Sequence, residues 1–241
     1  LPISAGVAPL PALFSAVFRA HAERYGTTLE QLAAVTVKNR AYGAKNPRAQ
    51  FHQPVTLDEV MASREVAPPL RLLMCCPTTS GAAAVVVASA EVARGTRKPI
   101  RIVASVLRSD PPIDRRDPLA GITEINSAVM RAAFEQASVR PDQLDTAEVH
   151  DCFSIAEIIH YENLGLCQRG EGGRFAAQGL EGARVKVSTS GGLLAKGHPL
   201  GATGVAQAVE AVEQLRGESG ERQVQGARLA LAHCQGFGGA A

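Results

Sequence analysis

Three short stretches of this 241-residue chain place proton-transferring groups at breaks in apolar sequence: His150-Asp151-Cys152-Phe153, Gly197-His198-Pro199 and Cys234-Gln235-Gly236. A thiol beside an imidazole exchanges protons near neutral pH, since the histidine pKa lies close to it and the thiol can be brought down to it. Two imidazoles and a backbone N–H can together stabilise a developing oxyanion. His198 has the most unusual setting, because the stretch from Ser190 to Gly204 holds five glycines in fifteen residues and leads into an apolar helix. Glycines allow close backbone approach, and Pro199 fixes the chain just past the imidazole. A histidine in such a turn can also be mere packing. The company of His150 and Cys234, each at the end of an apolar run, favours chemistry, since strand ends of α/β sheets are where ligands sit.

The elements that must carry these groups follow from hydrophobic periodicity. Helical spacing marks Pro9 to Tyr25, a second helix capped by Thr28, a short one from Val55, Ile125 to Ala137, Ser154 to Gly165, and Gly201 to Arg216 with Gly217 as its stop. Asn39-Arg40 to Pro54 reads as a polar surface excursion. Strands are predicted at Ala82 to Ala88, where an apolar run implies a buried sheet, at Ile100 to Val106, Thr146 to His150, Val185 to Val187 and Arg228 to His233. Arg108 to Gly121 is proline-rich and reads as a loop. Strands alternating with helices of this length predict α/β layers. The best boundary is Arg94 to Pro99, dividing residues 1–95 from 96–241. A further apolar strand is expected after Gly239, and the start at Leu1 reads as an interior cut, so a longer protein is expected.

Composition removes several classes of function. Basic and acidic residues number 25 and 23 and are interspersed, and only 4% of residues are aromatic, so neither a basic stripe nor a stacking surface for nucleic acid is present. No apolar run reaches the roughly 18–20 residues of a membrane span. Five cysteines without CxxC spacing predict neither a disulfide framework nor a zinc site, and free thiols fit a reducing, cytoplasmic compartment. Cys75, Cys76 and Cys167 read as buried small residues, and His21, His160 and His233 as packing.

Taken together, the motifs resemble the second part of a thiolase of the sterol-carrier-protein type. The resemblance rests on Tyr25-Gly26-Thr27-Thr28, Val37-Lys38-Asn39-Arg40, Asn46-Pro47-Arg48-Ala49-Gln50-Phe51, Pro69-Leu70-Arg71-Leu72-Leu73, His150-Asp151-Cys152-Phe153-Ser154 and the Ser190 to Gly204 stretch. It implies two βαβαβαββ halves packed as α-β-α-β-α layers, with residues 1–95 the end of the first half plus an excursion over the CoA site, and 96–241 most of the second. It also implies acyl-CoA substrates, no covalently bound cofactor, no metal, and a homodimer. A cysteine outside this chain would be acylated by a thioester. His198 would activate that cysteine and help hold the thioester oxygen, while His150 takes the place where many thiolases have Asn. Cys234 would shuttle the α-proton of the acyl-CoA, and the Gly236 N–H would complete the hole for the acyl-enzyme oxygen. Ser190 and Gly191 are expected to contact CoA.

The chain departs from that pattern twice. Cys152 and Cys234 are both present, although much of the sterol-carrier branch has only the former. Cys234 ranks first for its Cys-x-Gly context, and Cys152 stays open as pocket wall or working thiol. Ser80 stands where an Asp is usual before Gly81. The resemblance leaves two other functions in view: a retro-aldolase on steroid side-chain CoA esters, working beside a zinc-ribbon/OB-fold partner, and a non-catalytic acyl-CoA or lipid binder.

Overall fold

The computed structural model describes residues 9–109 and 116–236, so the middle of the proline-rich loop and the strand expected after Gly239 lie outside the described residues. In chain order the elements are α1 (Pro9–Tyr25), α2 (Leu29–Ala44), α3 (Leu57–Ala62), β1 (Glu65–Ala67), β2 (Leu70–Arg71), α4 (Ala90–Ala93), α5 (Ala120–Ala137), β3 (Thr146–Glu148), α6 (Ser154–Asn163), α7 (Gly172–Ala176), α8 (Gly179–Gly182), β4 (Lys186–Val187), α9 (Gly192–Ala195), α10 (Thr203–Arg216) and β5 (Ala230–Ala232). β1 and β2 form an antiparallel pair, while β4, β3 and β5 form a parallel sheet with β3 at its centre. The parallel sheet with flanking helices is the expected α/β arrangement. Among the described residues no helix is long and apolar enough to cross a membrane.

Local chemistry explains where the helices begin. Thr28 accepts from the Gln31 N–H while Gln31 Oε1 accepts from the Thr28 N–H, a reciprocal cap at the start of α2. Thr56 and Glu59 do the same for α3. α10 stops at Gly217, as its sequence predicts.

At the centre lies α6, which runs away from the His150 strand end and is buried on every side. Its Ile155, Ile158 and Ile159 sit in the core with Leu32, Val35, Met74, Ala147 and Val149. A helix with no solvent face has to pair its polar groups. Glu157 does so with Lys38 Nζ at 2.7 Å, with Asn39 and with the Tyr161 hydroxyl. Glu162 accepts from the Gly172 N–H at 3.0 Å and faces His21 at 3.2 Å. Leaving either carboxylate without its partners would cost about 3–5 kcal/mol.

α2 and α9 approach backbone to backbone. A Cβ on Gly191 would lie 2.8 Å from the Gly43 Cα, and one on Gly43 would lie 2.7 Å from the Ala195 Cβ. This contact makes α2 one wall of the loop that carries His198.

Several readings of the sequence need correction. Residues 82–88 and 100–106 form no strand, and Val86 is 97% exposed. Their apolar character signals burial, but among the described residues no strand lies alongside them to take up their N–H and C=O groups. The polar segment after Val37 continues α2 to Ala44, with Asn39 fully buried, because its amide is consumed by buried carboxylates. α5 begins at Ala120, within the segment read as loop, and α7 and α8 fill a stretch with no prior assignment.

Candidate active site

The site forms where β3, the α9–α10 loop and the end of β5 meet. His150 lies two residues past β3, and Cys234 lies two past β5, which pairs in parallel with β3 through Glu148 and Ala232. Parallel pairing therefore brings the two reactive positions to the same sheet end. There the Cys234 Sγ lies 3.5 Å from His150 Nδ1, and the His150 ring meets that of His198 edge-on, with centroids 4.9 Å apart at 84°. Gly204, in the first turn of α10, backs Cys234, since a Cβ there would lie 3.7 Å from the sulfur. Gly236 is exposed, and its N–H has no partner among the described residues.

Hydrogen bonds fix the state of His198. The Thr203 hydroxyl donates to the Pro199 carbonyl at 3.0 Å and lies 2.8 Å from His198 Nδ1. With its single proton on Pro199, the hydroxyl accepts from Nδ1–H, so Nε2 keeps a lone pair free to act as a base. The backbone N–H of His198 donates to Thr79 at 3.2 Å, and its strand-like pairing with Thr78 holds the loop from the other side. In the full-length protein, Thr203→Val is expected to lower kcat about 10–100-fold with KM little changed, by freeing the ring tautomer. Thr203→Ser should restore most of it. Steady-state kinetics of both variants checks this, and wild-type turnover in Thr203→Val would remove Thr203 from the site.

Burial keeps the imidazoles neutral. His150 is pushed down to about 3 by desolvation first and then by His198 and His233, and His198 is lowered by burial and by the Lys196 ammonium. Burial raises the Cys234 thiol, with Lys196 opposing. The two shifts move apart, contrary to the sequence expectation of a thiol brought down toward its imidazole, so the pair rests as neutral thiol and neutral imidazole with the proton on sulfur.

The depressed histidines have a consequence for stability. Because His150 titrates near 3 in the folded protein and near 6.5 when unfolded, the unfolded chain takes up the proton first on acidification. This contribution to stability is therefore intact above about pH 6.5 and is lost progressively from there toward pH 3, on the order of a few kcal/mol. Buried His233, pushed down to about 4 by desolvation, acts in the same sense. His150→Asn is expected to flatten the fall in melting temperature between pH 7.5 and about 5. An unaltered slope in thermal unfolding would exclude His150 as its source.

The other sequence candidates are distributed differently. Cys152 is buried with its thiol pushed well above the ordinary range by desolvation, and no imidazole bonds to it among the described residues. Cys75 and Cys76 are both half-buried with thiols raised to about 12 by burial, as is Cys167. Ser190 and Gly191, expected at CoA, make internal contacts. The Ser190 hydroxyl and N–H both bond Glu148, at 2.5 and 2.9 Å, the side chain is fully buried, and Gly191 is wedged against Gly43. Both shape the loop and present no free group to a ligand. Nothing in the residue types or spacing of Thr203, Asp151 and Asn39 singles them out, although Thr203 lies in the same glycine-rich stretch.

An open hollow of about 400 Å³ adjoins the site, lined by Arg48, Gln50, Thr78, Thr79, Ser80 and Lys196. Thr79 connects this hollow to His198 through one hydrogen bond.

Residues 109–241 match a family model described as thiolase C-terminal domain-like. The chain is 48% identical over 239 residues to an acetyl-CoA acetyltransferase of Methanothermobacter thermautotrophicus, covering 96% of this chain and 61% of that one. It is 42% identical over 239 residues to sterol carrier protein 2 of Bos taurus, covering 95% of this chain and 44% of the relative. Among solved structures, the Ltp2-ChsH2(DUF35) aldolase superposes with a TM-score of 0.80 at 28% identity, over 92% of this chain and 59% of that one. The chain thus spans about three fifths or less of the length of these relatives.

Proposed function

Since the chain belongs to the thiolase family, we propose that it carries the acid–base and oxyanion half of an acyl-CoA acyltransferase that cleaves 3-oxoacyl-CoA with CoA, or runs the reverse condensation. The observation that carries this reading is the Cys234 thiol 3.5 Å from His150 Nδ1, with the His198 ring 4.9 Å from that of His150. In the proposed cycle a cysteine outside this chain gives its proton to His198 Nε2 and attacks the 3-oxo carbon, and the Gly236 N–H faces the resulting oxyanion. The C–C bond breaks, and the electron pair left on the acyl-CoA fragment takes a proton from Cys234. The two imidazoles hold the thioester oxygen of that enolate through ring N–H groups. Cys234 regains a proton from His198 by way of solvent; CoA then gives its thiol proton to His198, its sulfur takes the acyl group, and the freed cysteine recovers that proton from His198. A homodimer, as the resemblance implies, belongs to this proposal.

The test uses the full-length protein. Acetoacetyl-CoA plus CoA should yield acetyl-CoA, and intact-mass analysis after exposure to an acyl-CoA alone should show one acyl adduct. The likeness to the Ltp2-ChsH2(DUF35) aldolase supports a second reading, retro-aldol cleavage of a steroid side-chain CoA ester beside a partner subunit. That reaction breaks a 3-hydroxyacyl-CoA into a carbonyl compound and a shorter acyl-CoA with no acyl-enzyme and no added CoA, so cleavage of such a 3-hydroxyacyl-CoA without an adduct would favour it. Neither cleavage nor adduct would leave the acyl-CoA binder.

A further inference from the structure

The two imidazoles come from segments about fifty residues apart, and a buried carboxylate beside the first is bonded to the short helix that precedes the second. Asp151 follows His150 directly, and its side chain is fully buried. Its Oδ1 accepts from the Leu193 N–H at 2.7 Å and its Oδ2 from the Leu194 N–H at 3.3 Å, so it caps α9, whose last residue is followed by Lys196, Gly197 and His198. The chain has made room for this bond. A Cβ on Gly192 would fall 2.1 Å from Asp151 Oδ2, and Gly192 holds a left-handed φ of 59°.

The carboxylate is itself held. Asn39 Nδ2 donates to Asp151 Oδ2 and to Glu157 Oε2, each at 2.7 Å, and Asn39 Oδ1 accepts from Lys38 Nζ at 2.5 Å. Lys38 Nζ donates also to Glu157 and to the carbonyl of Val187 at the end of β4, 2.7 Å each. These bonds tie α2, α6, the end of β4 and the start of α9 to the residue beside His150. All of the groups are buried and paired, so the network can hold one arrangement rigidly.

We propose that Asp151 is the positioning residue that sets His198 against His150, acting through the N-terminus of α9, with Asn39 fixing the carboxylate. This deepens the proposed function, because it rests on the two imidazoles being the working pair. Asp151 touches neither ring. It sets where the α9–α10 loop begins, and a shift of about 1 Å at reacting groups costs on the order of 100-fold in rate.

The experiment is on the full-length protein. Asp151→Asn keeps the shape of the side chain but turns one acceptor into a donor facing a backbone N–H. Its kcat with acetoacetyl-CoA should fall about 100-fold while KM stays within about threefold. Asn39→Ala, two bonds removed from the loop, should fall about tenfold. The readout that a general loss of stability would not produce is the nuclear Overhauser contact between the His150 and His198 rings. It should be present in the wild type and lost in Asp151→Asn, while the remaining amide spectrum stays that of a folded protein. A folded Asp151→Asn that keeps the ring contact, or keeps wild-type kcat, overturns the proposal. If Asp151→Asn does not fold, Asn39→Ala carries the same test, and the ring contact kept in that variant overturns it. If the wild type is inactive toward acetoacetyl-CoA, the acyltransferase reading fails, but the ring contact still decides whether Asp151 sets the pair.

Discussion

His198→Ala in the full-length protein is expected to lower kcat for acetoacetyl-CoA thiolysis about 1,000-fold or more, with KM changed far less. The size follows from the roles that converge on one ring. Nε2 is the free base because Thr203 holds the proton on Nδ1, and the protonated ring is also a donor to the thioester oxygen. Loss of a positioned base is worth about 100–10,000-fold, and loss of an oxyanion donor about 100–1,000-fold, although the two are not additive within one unit. The acyl adduct should form correspondingly slowly. Turnover within tenfold of wild type would contradict the assignment of His198.

Cys234→Ala should lower overall turnover about 100–10,000-fold and yet leave the first half-reaction, acylation by an acyl-CoA, nearly intact. A shuttle that acts only on the α-carbon is needed in the step that protonates or deprotonates that carbon. The sharpest measurement is exchange of the methyl protons of acetyl-CoA with deuterated water, which should vanish in Cys234→Ala. Cys152→Ala should retain exchange and turnover within about threefold, because burial holds its thiol well above the ordinary range and no imidazole among the described residues bonds to it. If the two variants exchanged phenotypes, the proton shuttle would belong to the His-Asp-Cys motif. The sequence alone left these thiols in competition; parallel pairing of β3 and β5 separates them by carrying Cys234, and not Cys152, to His150 Nδ1.

What the sequence revealed, and what it hid, divides along physical lines. Helices with an apolar stripe and a capping threonine were legible, since period and cap are both local, and α1, α2 and α10 begin or end close to where their residues predict. His150, His198 and Cys234 were legible as reactive types at breaks in apolar runs. Their convergence was not, because it depends on strand register. Residues 82–88 misled for the opposite reason: an apolar run reports a preference for burial and says nothing of whether a partner strand lies beside it. The polar network failed to show because Lys38, Asn39 and Glu157 look like surface residues one at a time, and only their mutual bonds make burial tolerable. Ser190 looked available for the same reason that made it unavailable, a small hydroxyl in a tight turn beside Glu148.

The meeting of Gly43 with Gly191 bears on how sequences of this kind can drift. Where two main chains touch with nothing between them, neither position can accept even a methyl group unless the helices part, and parting them would swing the His198 loop off its mark. Mutational change at one locus is therefore barred until its opposite number has already yielded space, and here neither has any to yield. The seam acts as a ratchet on variation, admitting new residues around the reactive groups only where they leave that spacing untouched.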